Sequence, residues 1–100
     1  MKEIGGRFPK FWEDFYEYMK TEHGYAHFHN FTFLECFGYL VLEYFPKHGI
    51  KIGCYTDGSF AVKDGNDWVH DEDGHVIGFQ SPQQAITKAA EIRERQLEEK

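Results

Sequence analysis

The spacing of the hydrophobic residues changes near Pro46, and no other feature of the sequence limits the possible folds as strongly. Before Pro46, apolar residues recur at the i, i+3, i+4 and i+7 spacing of a helical face. After Gly49 they alternate with polar residues in short runs, separated by turn sequences such as Asp57-Gly58, as in antiparallel strands. Ser81-Pro82 then supplies the N-cap and the first residue of another helix. The order ααββββα predicts an α+β fold.

These signals predict seven elements in one domain. A chain of 100 residues has the length of a single small domain, so we expect residues 1–100 to share one core. The four strands are expected to form an antiparallel meander packed against the helices. The predicted bounds are 9–22 and 32–45 for the first two helices, 50–56, 59–64, 67–71 and 75–80 for the strands, and 82–98 for the last helix.

Composition and charge exclude several classes of protein. Aromatic residues make up 18% of the chain, so rings are expected to build much of the core. The net charge of -6 would repel a phosphate backbone, which argues against nucleic-acid binding. The sequence has no apolar run of the roughly 20 residues that cross a membrane, and its start lacks the apolar stretch of a secretory signal. We expect a cytoplasmic protein that binds neither nucleic acid nor membrane.

The predicted helix over 32–45 carries more apolar surface than one core face requires. A helix on the surface of a small domain usually shows one apolar stripe, whereas this one is apolar nearly all round. Two interpretations are open: the helix is the central element of the domain, or its second face is covered by another protein or a second copy of the chain. The second is preferred, and its candidate partner-binding residues are Glu35, Gly38, Tyr39, Leu42 and Glu43.

Acidic residues concentrate in the predicted turns of the sheet. In a meander, the turn at Asp57 and the turn containing Asp71, Glu72 and Asp73 point to the same end, which would be strongly negative. The simpler interpretation is that these carboxylates are solvated and were selected by turn chemistry. The functional interpretation is an acidic patch that docks on a basic surface, such as one that normally holds nucleic acid.

Three neighbouring histidines form the other candidate site. His23, His27 and His29 carry nitrogen ligands of the kind that bind metals, and they suit general acid-base chemistry as well. The spacing is not that of a specific zinc motif, because Gly24 interrupts the helix between the first two. We therefore predict no metal and no cofactor, and keep a metal-binding or small-ligand-binding domain as the alternative function.

The functional prediction is a small acidic protein-binding module without enzymatic activity. It is expected to be a homodimer and to act as a regulator or inhibitor by occupying a partner's surface. The small hairpin sheet followed by the helix over 82–98 resembles a general pattern in short bacterial and phage accessory proteins, and assigns no residue a role. The small size of the chain and this general pattern are the basis for expecting a mobile-element origin.

Overall fold

The computed structural model of the chain describes residues 2–25 and 33–99, and these form a mixed α+β structure with a three-stranded antiparallel sheet. The strand order is β1-β2-β3. The elements are helices α1 (Lys2–Arg7), α2 (Pro9–His23) and α3 (Phe33–Gly38), a π-helix (Tyr39–Tyr44), helix α4 (Phe45–Lys47), strands β1 (Ile50–Cys54), β2 (Phe60–Asp64) and β3 (Asp67–Trp68), and helix α5 (Pro82–Glu98).

Helices α2 and α5 form where the sequence carries explicit start and stop signals. At the start of α5, the Oγ atom of Ser81 accepts a hydrogen bond of 3.2 Å from the Gln84 amide, as an N-cap should. At the end of α2, Gly24 adopts a φ of 70°, and its amide donates to the carbonyl of Lys20. A residue with a side chain would be strained in this left-handed conformation, so the glycine sets the end of the helix.

Helix α1 was not predicted, because Gly5 and Gly6 both have low helix propensity. Tertiary packing overrides that propensity. A Cβ atom at Gly5 would lie only 3.0 Å from two atoms of the Trp12 ring, so the glycine lets α1 approach α2 closely. The turn between the helices is closed by hydrogen bonds from the amides of Phe8 and Trp12.

The helix predicted over 32–45 differs from the observed one in geometry and in length. It is π-helical from Tyr39 to Tyr44 and continues through Pro46 to Lys47, while Thr32 lies outside the described residues. A proline inside an α-helix lacks an amide hydrogen and clashes with the carbonyl four residues earlier. The wider π turn, in which the Phe45 amide donates to the Leu40 carbonyl, changes that local geometry and lets the helix pass Pro46.

The fourth predicted strand is wrong. The sheet has three strands, and the chain over 75–80 contributes only single bridges, one from Val76 to His70 and one from Phe79 to Phe60. Phe79 and Phe60 exchange two backbone hydrogen bonds, of 2.8 and 2.7 Å, at the edge of β2. Because the segment changes from one neighbour to another within a few residues, no continuous ladder can form.

The third predicted strand is shorter than the range 67–71, since β3 covers only Asp67–Trp68. Beyond it the amide of Val69 still donates to the carbonyl of Val62, but the chain then enters a turn. In this turn Oδ1 of Asp71 accepts from the amides of Asp73 and His75, each at 3.0 Å. Side-chain bonding to nearby amides thus replaces strand pairing here.

The core lies between α2, the helical segment 33–47, the sheet and α5, and its centre is built from aromatic rings. The ring of Tyr44, fully buried, lies 5.2 to 5.8 Å from those of Phe11, Phe15 and Phe45 in edge-on geometry. Across the core, α5 contributes small residues such as Ala89 and Ala90, which let it lie close to the sheet. The aromatic core expected from the composition is present.

Among residues 2–25 and 33–99, no helix combines the length and the apolar character that crossing a bilayer requires.

Candidate functional site

Leu42 is the most exposed large apolar side chain among the described residues, with 77% of its surface accessible. It lies in the π-helix, whose opposite face carries the buried side chains of Leu40 and Tyr44. Gly38 precedes Leu42 by about one turn. Apart from its two chain neighbours and the backbone of its own helix, no atom of the described residues lies within 4 Å of the place where a Cβ at Gly38 would stand. The exposed side chain of Leu42 therefore lies next to the open space beside Gly38 on the helix surface.

Tyr39 and Glu43 are held by their own chain. The hydroxyl of Tyr39 is 3.0 Å from that of Tyr25, and its ring lies 4.8 Å from the ring of His23. Oε1 of Glu43 accepts a hydrogen bond of 2.7 Å from the hydroxyl of Tyr18 and is also 2.7 Å from Nε2 of His23. These two predicted partner-binding residues thus tie the π-helix to the end of α2.

The five predicted partner-binding residues divide into two groups. Glu35 and Leu42 are exposed, and the space beside Gly38 is open among the described residues. Tyr39 and Glu43 are engaged from within. The segment therefore packs into the core on one side and leaves Leu42 exposed on the other. That a partner covers this second side stays a prediction.

The contacts around Glu43 change the acidity of the groups involved. Hydrogen bonds from Tyr18 and His23 lower the pKa of Glu43, which keeps the carboxylate ionised. Burial and the neighbouring Glu43 carboxylate raise the pKa of Tyr18 to about 12, so its hydroxyl remains a donor. The Tyr18–Glu43 contact therefore persists throughout the neutral pH range.

The histidine site is only partly within the described residues. Nε2 of His23 lies 2.7 Å from Oε1 of Glu43. His27 and His29 lie outside the described residues. The alternative function that rests on these three histidines therefore stays a prediction.

The acidic turns use part of their charge for local structure. Oδ1 of Asp57 accepts from the amide and the hydroxyl of Ser59, at 2.9 and 2.7 Å, and these bonds lower the pKa of Asp57. Asp71 closes its own turn in a similar way. Asp57, Asp71, Glu72 and Asp73 are all exposed. Turn chemistry thus accounts for the two aspartates that bind backbone amides, and the acidic-patch interpretation stays a prediction.

One grouping of possible metal ligands was missed. The side chains of Asp71, Asp73 and His75 place one ligand atom each within 4.8 Å of the others. All three are exposed, and Oδ1 of Asp71 is already engaged by two amides. The alternation of two aspartates and a histidine is visible in the sequence, but only the turn geometry brings the three together.

A buried polar network was also missed. Arg93, only 4% exposed, donates from one terminal nitrogen to Asp14 at 3.0 Å and from Nε to the hydroxyl of Tyr44 at 3.2 Å. The same hydroxyl donates to Oδ2 of Asp14 at 2.6 Å. Burial alone would raise the pKa of Asp14, but the bonds from Tyr44 and Arg93 outweigh it and lower that pKa. The network joins α2, the π-helix and α5.

Above this network a groove of about 220 Å³ opens between α2 and the end of the helical segment 33–47. Its walls include the side chains of Tyr18 and Tyr44, and its acidic groups come from one face of α2. Nζ of Lys47 lies 5.3 Å from the centre of the Tyr18 ring. The lining residues are Asp14, Glu17, Tyr18, Thr21, Glu22, Tyr44, Lys47 and His48.

The chain matches no protein-family model, no curated protein and no solved structure.

Proposed function

We propose that the protein is a small acidic protein-binding module that forms a homodimer and regulates or inhibits a partner by occupying its surface. The exposure of Leu42 on a helix whose other face forms the core carries this proposal. Fully burying a leucine side chain contributes about 1.5 to 3 kcal/mol relative to leaving it exposed. Contact with another protein would recover that free energy, which the isolated chain leaves unused.

The shape of the face favours a second copy of the same chain as its cover. Two-fold dimers need a surface that is complementary to itself. Leu42 protrudes, while Gly38, four residues earlier on the same face, leaves open space. In an antiparallel pair of helices, Leu42 of each copy can sit over Gly38 of the other, so the same contact is made twice. We name this surface, formed by Glu35, Gly38 and Leu42, the Leu42 face.

The charge of the chain indicates what kind of partner such a dimer would meet. Each chain carries a net charge of -6, so a dimer attracts basic surfaces and is repelled by acidic ones. Electrostatic attraction of this kind mainly accelerates encounter and discriminates between partners. A basic protein surface is therefore the expected target.

Sedimentation equilibrium of the wild-type protein and of Leu42→Asp tests the dimer. The wild type is expected at twice the chain mass of 11.8 kDa, and Leu42→Asp at the single mass with an unchanged circular dichroism spectrum. The matched control is Val76→Asp, which adds the same charge at an apolar side chain that is 45% exposed outside the Leu42 face. This control should remain dimeric. A wild type that is monomeric at micromolar concentration, or a Leu42→Asp variant that still dimerises, contradicts the proposal.

A further inference from the structure

We infer that the groove between α2 and the end of the helical segment 33–47 binds an arginine side chain of a protein partner, with the guanidinium group lying over the Tyr18 ring beside the carboxylates of Glu17 and Glu22. This inference rests on the proposed protein-binding function and adds the chemistry that the partner must offer. It does not rest on the dimer, since the groove and the Leu42 face are formed by different residues.

The Tyr18 ring is fixed before any ligand arrives, and the fully buried Tyr44 ring supports it from behind. The Tyr18 hydroxyl is bonded to Glu43 and the Tyr44 hydroxyl to Asp14, at 2.7 and 2.6 Å. The two rings stand edge to face, with their centres 5.6 Å apart. Flat rings attract cations over their faces, and a preorganised wall loses little conformational entropy when it binds.

The charge of the groove also favours a cation. Asp14, Glu17 and Glu22 project from α2 at positions i, i+3 and i+8, and all three line the groove. Asp14 is already paired with Arg93, so Glu17 and Glu22 are the carboxylates that serve a ligand.

A cation of the chain itself marks the position. The ammonium group of Lys47 lies over the Tyr18 ring, and the Lys47 side chain is exposed. An incoming guanidinium would displace it, because a planar guanidinium stacks on a ring and binds carboxylates with two nitrogens at once, whereas an ammonium group acts as a point charge. Lys47 therefore competes with the ligand for this position.

The test is an NMR titration of the full chain with the peptide acetyl-Gly-Arg-Gly-amide. Amide shift changes are expected to concentrate at the residues that line the groove. Lys47→Met should strengthen binding about threefold, because it removes the competing cation from the ring. Lys51→Met removes the same charge at an exposed position on β1 and should leave the affinity unchanged. Equal effects of the two variants would mean that only net charge matters, which overturns the inference.

A second pair of variants tests the carboxylates. The double variant Glu17→Gln, Glu22→Gln should weaken binding about fivefold, given the strength of exposed ion pairs. The control Glu72→Gln, Asp73→Asn removes the same charge from an exposed turn and should change nothing. The inference would be overturned by an equal loss of peptide affinity in both double variants, or by amide shift changes away from the groove. Equally tight binding of acetyl-Gly-Lys-Gly-amide would also overturn it.

The outcomes for the groove and for the dimer can be told apart. Repeating the titration on Leu42→Asp should give the same affinity, since that residue is not among those that line the groove. A dimer that binds no arginine peptide overturns the groove alone. A monomeric wild type that binds the peptide overturns the dimer alone.

Discussion

Removing the hydroxyl of Tyr44 should destabilise the fold substantially. Tyr44→Phe keeps the fully buried ring and its packing but deletes the donor to Asp14 and the acceptor of the Arg93 Nε hydrogen. The direct contact between Asp14 and Arg93, at 3.0 Å, remains. The variant leaves the Nε atom of Arg93 buried without a hydrogen-bond partner. In the wild type, every buried side-chain nitrogen and oxygen atom of the described residues has such a partner.

The expected loss follows from the two bonds. A hydrogen bond to a charged group contributes about 1.5 to 3 kcal/mol, and an unsatisfied buried donor costs about 1 to 3 kcal/mol. Allowing for overlap between these two effects, Tyr44→Phe should lower the free energy of unfolding by about 2 to 3 kcal/mol. For a domain of this size, that corresponds to a fall in Tm of roughly 10 to 20 °C. Tyr55→Phe, at an exposed tyrosine, is the control and should stay within about 0.5 kcal/mol of wild type.

The pH dependence of this loss gives an independent check. The folded-state pKa of Asp14 is lowered, so its contribution to stability is present above its unfolded pKa and disappears as the pH falls through the folded value. Without the Tyr44 hydroxyl the folded-state pKa of Asp14 rises. The difference in unfolding free energy between wild type and Tyr44→Phe should therefore be largest near neutral pH and shrink in acid.

Urea unfolding followed by circular dichroism, from about pH 7 down to the lowest pH at which the fold persists, measures both effects. A loss below about 0.5 kcal/mol at neutral pH, or a loss that does not change with pH, would refute the assigned role of the network.

Two further substitutions test contacts at the N-terminal end of α2. Gly5→Ala should be at least about 1 kcal/mol less stable than Gly6→Ala, because a Cβ at Gly5 meets the Trp12 ring at 3.0 Å, whereas a Cβ at Gly6 meets no described atom within 4 Å. Thermal unfolding of the two variants measures this difference. Equal stabilities would contradict the packing assigned to Gly5. Glu94, buried, accepts at 2.7 Å from the Phe11 amide in the first turn of α2. Glu94→Ala should therefore lower the free energy of unfolding in urea by about 1 to 3 kcal/mol. Glu94→Gln keeps an acceptor oxygen, so it should retain most of the wild-type stability. An equal loss in both variants would contradict the stabilising role of this hydrogen bond.

Features that depend on local chemistry could be predicted from the sequence. The start of α5 at Ser81-Pro82 and the end of α2 at Gly24 are set by residues adjacent in the chain. Such signals determine caps, turns and the mixed α+β character, because they act over only a few residues.

Features that depend on distant contacts could not be predicted. Arg93 and Asp14 are 79 positions apart, and the hydrophobic pattern does not indicate that they pair. The chain over 75–80 alternates like a strand, but the neighbours available to it change within a few residues. The π-helix likewise arises where packing and Pro46 act on the same turns.

The candidate site also combines features that the sequence could predict with features that depend on distant contacts. Leu42 and Gly38 were selected from helical projection, and the structure leaves both without cover from the described residues. Tyr39 and Glu43 lie in the same sector but contact Tyr25, Tyr18 and His23 through their polar atoms. A helical projection uses the positions of one helix only and contains no information about where a neighbouring helix ends. It therefore could not distinguish Leu42 and Gly38 from Tyr39 and Glu43.

The contact between Leu42 of one copy and Gly38 of the other can be observed directly. An isotope-filtered NOE experiment on a mixture of labelled and unlabelled chains detects only protons that are close across two molecules. We predict cross-peaks between the methyl groups of Leu42 and the α-protons of Gly38. Their absence at concentrations where sedimentation shows a dimer, or intermolecular cross-peaks from Leu42 to residues of the sheet instead, would contradict the proposed interface.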